Sequence, residues 1–145
     1  MKTQTAIFFL ILLIASCKKT KDSTDTLAEK TSFLTAGVWH FTGYTRNDGI
    51  GSLVVTYNSL PDCRKDDLRS FNNNGSGEVN EGPSKCNSAD PQSSAVQWNF
   101  VNSQINLISI NGTEYKINKL DNTTFDFSFR RTDPYDPEIN YIYSR

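Results

Sequence analysis

Apolar and polar residues alternate with a period of two along most of the chain after residue 36. In the clearest segment, Phe125, Phe127 and Phe129 are separated by single polar residues. Successive side chains of a β-strand point to opposite faces, so this pattern predicts strands with one buried and one solvated face. The pattern predicts eight to nine strands, at about 37–46, 51–57, 67–72, 77–81, 94–101, 104–110, 114–120, 123–131 and 138–144.

Short turn signals separate these strands and indicate how they connect. The clearest is Asn111-Gly112, which lies between two alternating segments and predicts a tight hairpin. Because one hairpin follows another, we expect an antiparallel up-and-down arrangement, and closing it into a barrel removes exposed strand edges. The predicted fold is therefore all-β, a small antiparallel up-and-down β-barrel of eight to nine strands. A sandwich of two sheets is the alternative.

Residues 1–16 have the features of an export signal. Lys2 precedes an uncharged, mostly apolar run at 6–15. A charged start, an apolar stretch of roughly 7–15 residues and small residues before a cut describe a secretory signal peptide. A membrane-spanning helix is the alternative, but it needs about 20 apolar residues, and Lys18 ends the run early. We therefore expect 1–16 to be removed.

The end of this signal, Ile14-Ala15-Ser16-Cys17, resembles the lipobox of bacterial lipoproteins. In those proteins an aliphatic residue and two small residues precede a cysteine that receives a diacylglycerol. The resemblance implies cleavage before Cys17, lipidation of Cys17 and attachment to the membrane, because two or more acyl chains anchor a protein stably. Lys18 does not fit the best-known signal for inner-membrane retention. This favours the outer membrane of the cell envelope.

Composition divides the rest of the chain into a tether and one domain. Residues 18–32 are polar and nearly free of aliphatic side chains, which is typical of a flexible tether. We therefore expect Cys17 and a tether to occupy 17–32, and one folded domain to occupy 33–145. A short helix is also expected within 26–36, where Leu27, Phe33 and Leu34 can cover one end of the barrel.

Charge and cysteine content narrow the possible partners. Without Lys2, 14 of the 15 basic side chains remain against 16 acidic ones, and this mixed, nearly balanced charge argues against a nucleic-acid partner. Cys63 and Cys86 remain once Cys17 is lipidated, and two cysteines in an exported domain most often form a disulfide. A metal site is the alternative, but His40, the only histidine, is distant in sequence.

The chain has no sequence motif that indicates catalysis. It lacks a nucleophile elbow, a phosphate loop, a dinucleotide fingerprint and a zinc signature. Acidic residues cluster in two loops, but both clusters fit turns better than a calcium site. We therefore expect a protein that is not an enzyme and has no catalytic residue, metal ligand or cofactor. The two acidic clusters are Asp62, Asp66 and Asp67, and Asp133, Asp136 and Glu138.

An ordered set of motifs resembles the lipocalin family and the wider calycin barrels. Gly37-Val38-Trp39 begins the first predicted strand and is similar to the Gly-x-Trp signature, whose tryptophan packs across the closed end of the barrel. An arginine stacks on that tryptophan in the family, and Arg130, Arg131 and Arg145 are the alternatives here. Further motifs resemble lipocalin-like domains of bacterial envelope lipoproteins: Cys63-Arg64-Lys65-Asp66-Asp67, Phe71-Asn72-Asn73-Asn74-Gly75, Glu81-Gly82, Lys85-Cys86 and Trp98-Asn99-Phe100.

Two hypotheses about function follow. In the first, an open barrel mouth binds a small apolar or amphipathic ligand. In the second, the barrel is filled, and the protein is a structural or interaction module whose loop 81–93 contacts an envelope protein partner. An aromatic-lined void of roughly a few hundred cubic ångströms favours the first, and a close-packed interior excludes it. The candidate ligand-binding residues are Trp39, Phe41, Trp98, Phe100, Tyr115, Phe125 and Phe127.

Overall fold

The computed structural model describes residues 26–48, 50–101, 103, 105–129 and 137–145. The expected signal peptide, Cys17 and most of the expected tether lie outside these residues. Arg130, Arg131, Asp133 and Asp136 also lie outside them. Neither of the two α-helices in the described part is long and apolar enough to cross a membrane. The elements are α1 (Leu27–Thr35), β1 (Val38–Asn47), β2 (Ser52–Thr56), a short 3-10 turn (Tyr57–Ser59), α2 (Asp62–Lys65), β3 (Leu68–Phe71), β4 (Ser76–Asn80), β5 (Ser93–Phe100), β6 (Leu107–Ile110), β7 (Thr113–Leu120), β8 (Thr124–Phe129) and β9 (Glu138–Ser144).

Eight of these strands form a closed antiparallel ring. From β3 to β9, each strand pairs with the next one along the chain. The ring closes on β1, which pairs with β3 through Val38–His40 and with β9 from His40 opposite Ser144 to Asn47 opposite Glu138. The predicted all-β antiparallel barrel is therefore confirmed, and the alternative of a two-sheet sandwich is wrong.

Strand β2 lies outside the ring. It pairs with residues 43–47 of β1, on the same edge at which the start of β1 pairs with β3. Strand β1 has a bulge between Phe41 and Gly43 in its pairing with β9. Gly43 has a φ of +150°, and a Cβ there would collide with the carbonyl oxygen of Val55. The up-and-down order is thus interrupted once, because β1 rather than β2 is the neighbour of β3.

Helix α1 covers the end of the barrel at which β1 begins. The Thr26 hydroxyl caps the helix by accepting a hydrogen bond from the Glu29 N–H at 3.2 Å. Leu34 is fully buried, and its carbonyl accepts a hydrogen bond from Trp39 Nε1 at 2.9 Å. The predicted helix and its contact with the barrel end are confirmed, although Leu27 is exposed. The folded domain was expected to begin at residue 33, but this boundary falls inside α1, which begins at Leu27.

Aromatic rings fill the half of the barrel next to α1. Phe125 is fully buried, and its ring centre lies 5.8 Å from that of Trp39 and 5.7 Å from that of Phe71. Phe71 and Trp98 meet edge to face at 5.9 Å. Such pairs add about 0.5–1.5 kcal/mol each to the stabilisation that burial gives. This end of the interior is therefore a packed core.

The predicted disulfide between Cys63 and Cys86 is confirmed and joins α2 to the loop after β4. The same loop is held by Asp66, whose Oδ2 accepts a hydrogen bond from the Ser84 N–H at 2.8 Å. Gly82, at a φ of +65°, lies so close to Asp66 that a Cβ would collide with it. The loop and α2 therefore form one unit beside the end of the barrel farthest from α1.

Candidate functional site

The interior of the barrel contains a pocket of about 200 Å³ beyond the packed core, toward the second half of β1. Strands β1, β3, β7, β8 and β9 and helix α2 contribute its walls. Five of the lining side chains are aromatic, and three are charged. The lining residues are Phe41, Arg64, Asp67, Arg69, Tyr115, Phe127, Tyr141 and Tyr143.

A more open groove of about 560 Å³ adjoins this pocket and shares Phe41, Arg64 and Tyr141 with it. The groove runs between β2, the turn that follows β2, and the start of β9. Its lining is largely apolar, with Leu53 and Ile139 on opposite sides. A ligand that is too long for the pocket can therefore extend into the groove.

The structure divides the seven ligand-binding candidates between the pocket and the core. Phe41, Tyr115 and Phe127 line the pocket. The other four, Trp39, Trp98, Phe100 and Phe125, do not line it. They belong to or pack against the core at the α1 end of the same strands. The alternation that places a side chain inside the barrel does not say how far along the barrel axis it lies.

The charged residues of the pocket were not among the candidates. Arg69 lies directly opposite Trp39 in β1 and Val79 in β4, and residues directly opposite one another share a face of the sheet. Arg69 therefore points into the barrel, as do Asp67 and Phe71 at alternate positions. The sequence offers only a partial signal for this, because Arg69 alternates with Phe71 in one strand and the two therefore share a face of the sheet.

The guanidinium of Arg69 is held against aromatic rings. Its central carbon lies 5.2 Å from the ring centre of Tyr143 and 5.9 Å from that of Phe127, within the range of cation–π contacts. Its Nε is buried and has no hydrogen-bond partner among the described residues. A buried donor without a partner costs about 1–3 kcal/mol. Arg69 therefore lies in the wall of the pocket with a buried Nε that no described residue satisfies.

Asp67 is the single acidic residue that lines the pocket, within the described part of the chain. Only 9% of the residue is exposed, and its Oδ2 lies 3.8 Å from Arg64 Nη1. Burial, together with the nearby negative charge of Glu81, raises the pKa of Asp67 to about 6, against a lowering by Arg64. Its Oδ1 is buried and has no partner among the described residues. The pocket thus has one carboxylate, that of Asp67, against the two guanidinium groups of Arg64 and Arg69, so Asp67 offsets only part of its positive charge.

No protein-family model matches the chain. No curated protein is similar to it in sequence.

The acidic cluster around Cys63 does not converge on one point. Asp62 forms an ion pair with Lys65 at 2.7 Å, Asp66 holds the Gly82 loop, and Asp67 faces the pocket. Across the described ranges, no group of three or more histidine, cysteine or acidic side chains is arranged to hold a metal ion. His40 is exposed on β1. The chemistry of the pocket therefore depends on its aromatic rings, its arginines and Asp67.

The structure also identifies the arginine that lies on Trp39. The guanidinium carbon of Arg145 lies 4.3 Å from the centre of the Trp39 ring, and Arg145 Nε donates a hydrogen bond to the Asn122 carbonyl at 3.0 Å. Gly37 lies beneath the same side chain, because a Cβ there would be 3.6 Å from Arg145 Cδ. The other two alternatives, Arg130 and Arg131, lie outside the described residues.

Proposed function

We propose that this protein is a lipid-anchored lipoprotein of the cell envelope whose lipocalin-like barrel binds a small amphipathic molecule. In this proposal it is a binding protein rather than an enzyme. The anchor is the lipid on Cys17, and the preferred location is the outer membrane. The observation that carries the binding function is the aromatic pocket of about 200 Å³, which has unpaired polar atoms and opens into a groove.

The size of the pocket restricts the ligand. At about 30 Å³ for each water molecule in the liquid, a volume of about 200 Å³ corresponds to about seven water molecules, so the ligand is a small one. The pockets that hold drug-sized ligands have volumes of about 300–1,000 Å³. The packed core around Phe125 prevents a long chain from entering further. A compact ligand, with any extension lying in the groove, fits this site best.

The lipocalin likeness is supported by the arrangement at the opposite end of the barrel. Trp39 follows Gly37 at the start of β1 and is covered by the Arg145 guanidinium. This is the packing that the resemblance of Gly37-Val38-Trp39 implies. The closed ring of eight strands is also of the size that encloses either side chains or one small ligand.

The anchor is tested by replacing Cys17 with serine in the full-length chain. We expect a soluble or uncleaved protein in place of a membrane-bound one of mature size, because serine cannot accept the diacylglycerol. Membrane fractionation followed by mass spectrometry measures both properties. A Cys63→Ser/Cys86→Ser variant is the control, since it should retain the lipid. A Cys17→Ser protein that stays on the membrane at its mature size contradicts the proposal.

Ligand binding is tested by native mass spectrometry of the protein purified from the envelope. We expect an additional mass that is lost on denaturation. A Tyr141→Trp variant should lose this mass because the larger ring fills the pocket, whereas Tyr57→Trp, at an exposed site that does not line the pocket, should retain it. A bare polypeptide mass in all three proteins favours the other hypothesis, a filled barrel that contacts an envelope protein through loop 81–93.

A further inference from the structure

The pocket and its groove have more positive than negative charge. Arg64 and Arg69 line the pocket with Asp67, and Arg46 lines the groove. No acidic side chain of the described residues lines the groove. The charges of these side chains therefore favour a ligand that carries a negative charge.

Arg69 is a cation of the pocket that has no anionic partner among the described residues. Asp67 forms its ion pair with Arg64, and no described carboxylate lies within ion-pair distance of Arg69. The faces of the Tyr143 and Phe127 rings hold the guanidinium in place, and neither side chain accepts a conventional hydrogen bond from it. Since no described residue accepts a hydrogen bond from this guanidinium, its terminal nitrogens, which point away from the buried Nε, are left to donate to a ligand.

The remaining wall of the pocket is suited to a compact apolar group. The rings of Tyr115 and Phe127 lie edge to face at 5.1 Å, and those of Phe127 and Tyr141 lie 5.5 Å apart. These rings border the space next to Arg69. A ligand with a negative group at one end and a flat or compact apolar body at the other therefore matches both parts of the wall.

We infer that the pocket binds a small monocarboxylate, whose carboxylate accepts hydrogen bonds from Arg69 and whose apolar body packs against Tyr115, Phe127 and Tyr141. This inference rests on the proposed function, because it names the class of ligand for the same site. Aromatic rings beside Asp67 also resemble a cage for an ammonium group. Two guanidinium groups in the same pocket oppose a cation there, so the carboxylate is the better match.

The inference is tested with three probes of one shape and different charge: para-fluorobenzoate, para-fluorobenzyl alcohol and para-fluorobenzylamine. Their affinities for the protein, purified from the envelope in nonionic detergent, are measured by ligand-observed fluorine NMR. We expect the benzoate to bind at least about tenfold more tightly than the alcohol, because hydrogen bonds to charged groups change affinity by such factors. The amine should bind more weakly than the alcohol.

Two substitutions assign this preference to Arg69. Arg69→Gln should abolish the preference for the benzoate over the alcohol, and Arg69→Lys should retain part of it, because it keeps the charge. Lys116→Gln is the control for net charge, since Lys116 is an exposed residue of β7 that does not line the pocket. If Arg69→Gln does not fold, the comparison of the three probes on the unaltered protein remains decisive.

The outcomes separate this inference from the proposed function. Equal binding of benzoate and alcohol shows that the pocket takes ligands but overturns the choice of a carboxylate, and tightest binding of the amine overturns it in favour of a cation. If no probe binds while native mass spectrometry shows a carried molecule, the inference alone is wrong. If no probe binds and the native mass is bare, the proposed binding function is wrong as well.

Discussion

The guanidinium of Arg145 stacks on the indole ring of Trp39, with 4.3 Å between the guanidinium carbon and the ring centre. Trp39 in turn donates a hydrogen bond from Nε1 to the Leu34 carbonyl in α1. The residue that follows β9 is thereby linked through β1 to the helix. Three segments that are distant in sequence close this end of the barrel together.

We expect Arg145→Ala to lower the free energy of unfolding by about 1–2 kcal/mol, because it removes a cation–π contact and uncovers a buried ring. Urea denaturation followed by tryptophan fluorescence measures the change. Arg145→Lys should lose less. Arg46→Ala is the matched control, because Arg46 is exposed on the same first strand and such substitutions change stability by about 0.5 kcal/mol or less. Equal stability of the Arg145→Ala and Arg46→Ala variants contradicts a stabilising role for the stack.

The raised pKa of Asp67 predicts that stability falls as the pH rises from about 4 to about 6. In this range the folded protein binds a proton at Asp67, whereas the unfolded chain, with an ordinary pKa of 3.8, has released it. At about 1.4 kcal/mol for each pKa unit, the full difference is at most about 3 kcal/mol. Above pH 6 this contribution is lost and no longer changes.

Asp67→Asn provides the test of this pH dependence. The amide does not titrate, so the fall in unfolding free energy between pH 4 and 6 should become shallower by the contribution of Asp67. Urea denaturation at a series of pH values measures it. Asp48→Asn is the control, since Asp48 lies in an exposed turn remote from the pocket, and its profile should follow that of the unaltered protein. Identical profiles for all three proteins refute the assignment to Asp67.

Reduction of the Cys63–Cys86 disulfide is expected to lower the free energy of unfolding by about 3 kcal/mol, because the bond closes a loop that the unfolded chain would otherwise leave open. The two cysteines are 23 residues apart in sequence. Urea denaturation with and without a reducing agent measures the effect. The Cys63→Ser/Cys86→Ser variant is the control and should be insensitive to the agent. A loss of less than about 1 kcal/mol argues that the loop is held mainly by its other contacts.

Gly43→Ala should detach β2 from β1, because the added methyl group collides with the Val55 carbonyl and the φ of +150° does not suit alanine. Hydrogen exchange of the amides in Ser52–Thr56 is expected to accelerate, while that of strands β3 to β9 changes less. Gly51→Ala is the matched control in the same hairpin, since nothing lies within 4 Å of its added methyl group. Unchanged protection of β2 in Gly43→Ala would show that the hairpin tolerates the collision.

The positions of the strands were predictable because each one has a local pattern. In β8, Phe125, Phe127 and Phe129 mark the strand without reference to any other part of the chain. Pairing is a different matter. Strand β1 pairs with both β2 and β3 along one edge. This arrangement depends on contacts between distant segments and on the bulge before Gly43. Periodicity within one strand contains no such information.

The candidate site was predictable only in part, for a related reason. Phe41 and Phe125 both alternate with polar neighbours, but Phe41 lines the pocket and Phe125 lies in the core. Their depth along the barrel axis depends on strand register. The role of Arg69 depends on its position opposite Trp39, in a strand pair whose register the sequence alone does not fix. Likewise, the pairing of β9 with β1 brings Arg145 to Trp39, and no local pattern in the sequence shows that contact.

The closure of the ring between β1 and β9 determines when this barrel can form during synthesis. His40 pairs with Ser144, so the contact joins residues from nearly opposite ends of the described chain. Such distant pairings are slow to form, because the entropy of a long loop is lost before the contact is gained. A nascent chain that emerges amino terminus first presents the unpaired edge of β1 long before β9 is available. During that interval the unpaired β1 edge is open to proteolysis and can aggregate, so this is the stage at which a holding chaperone is most useful.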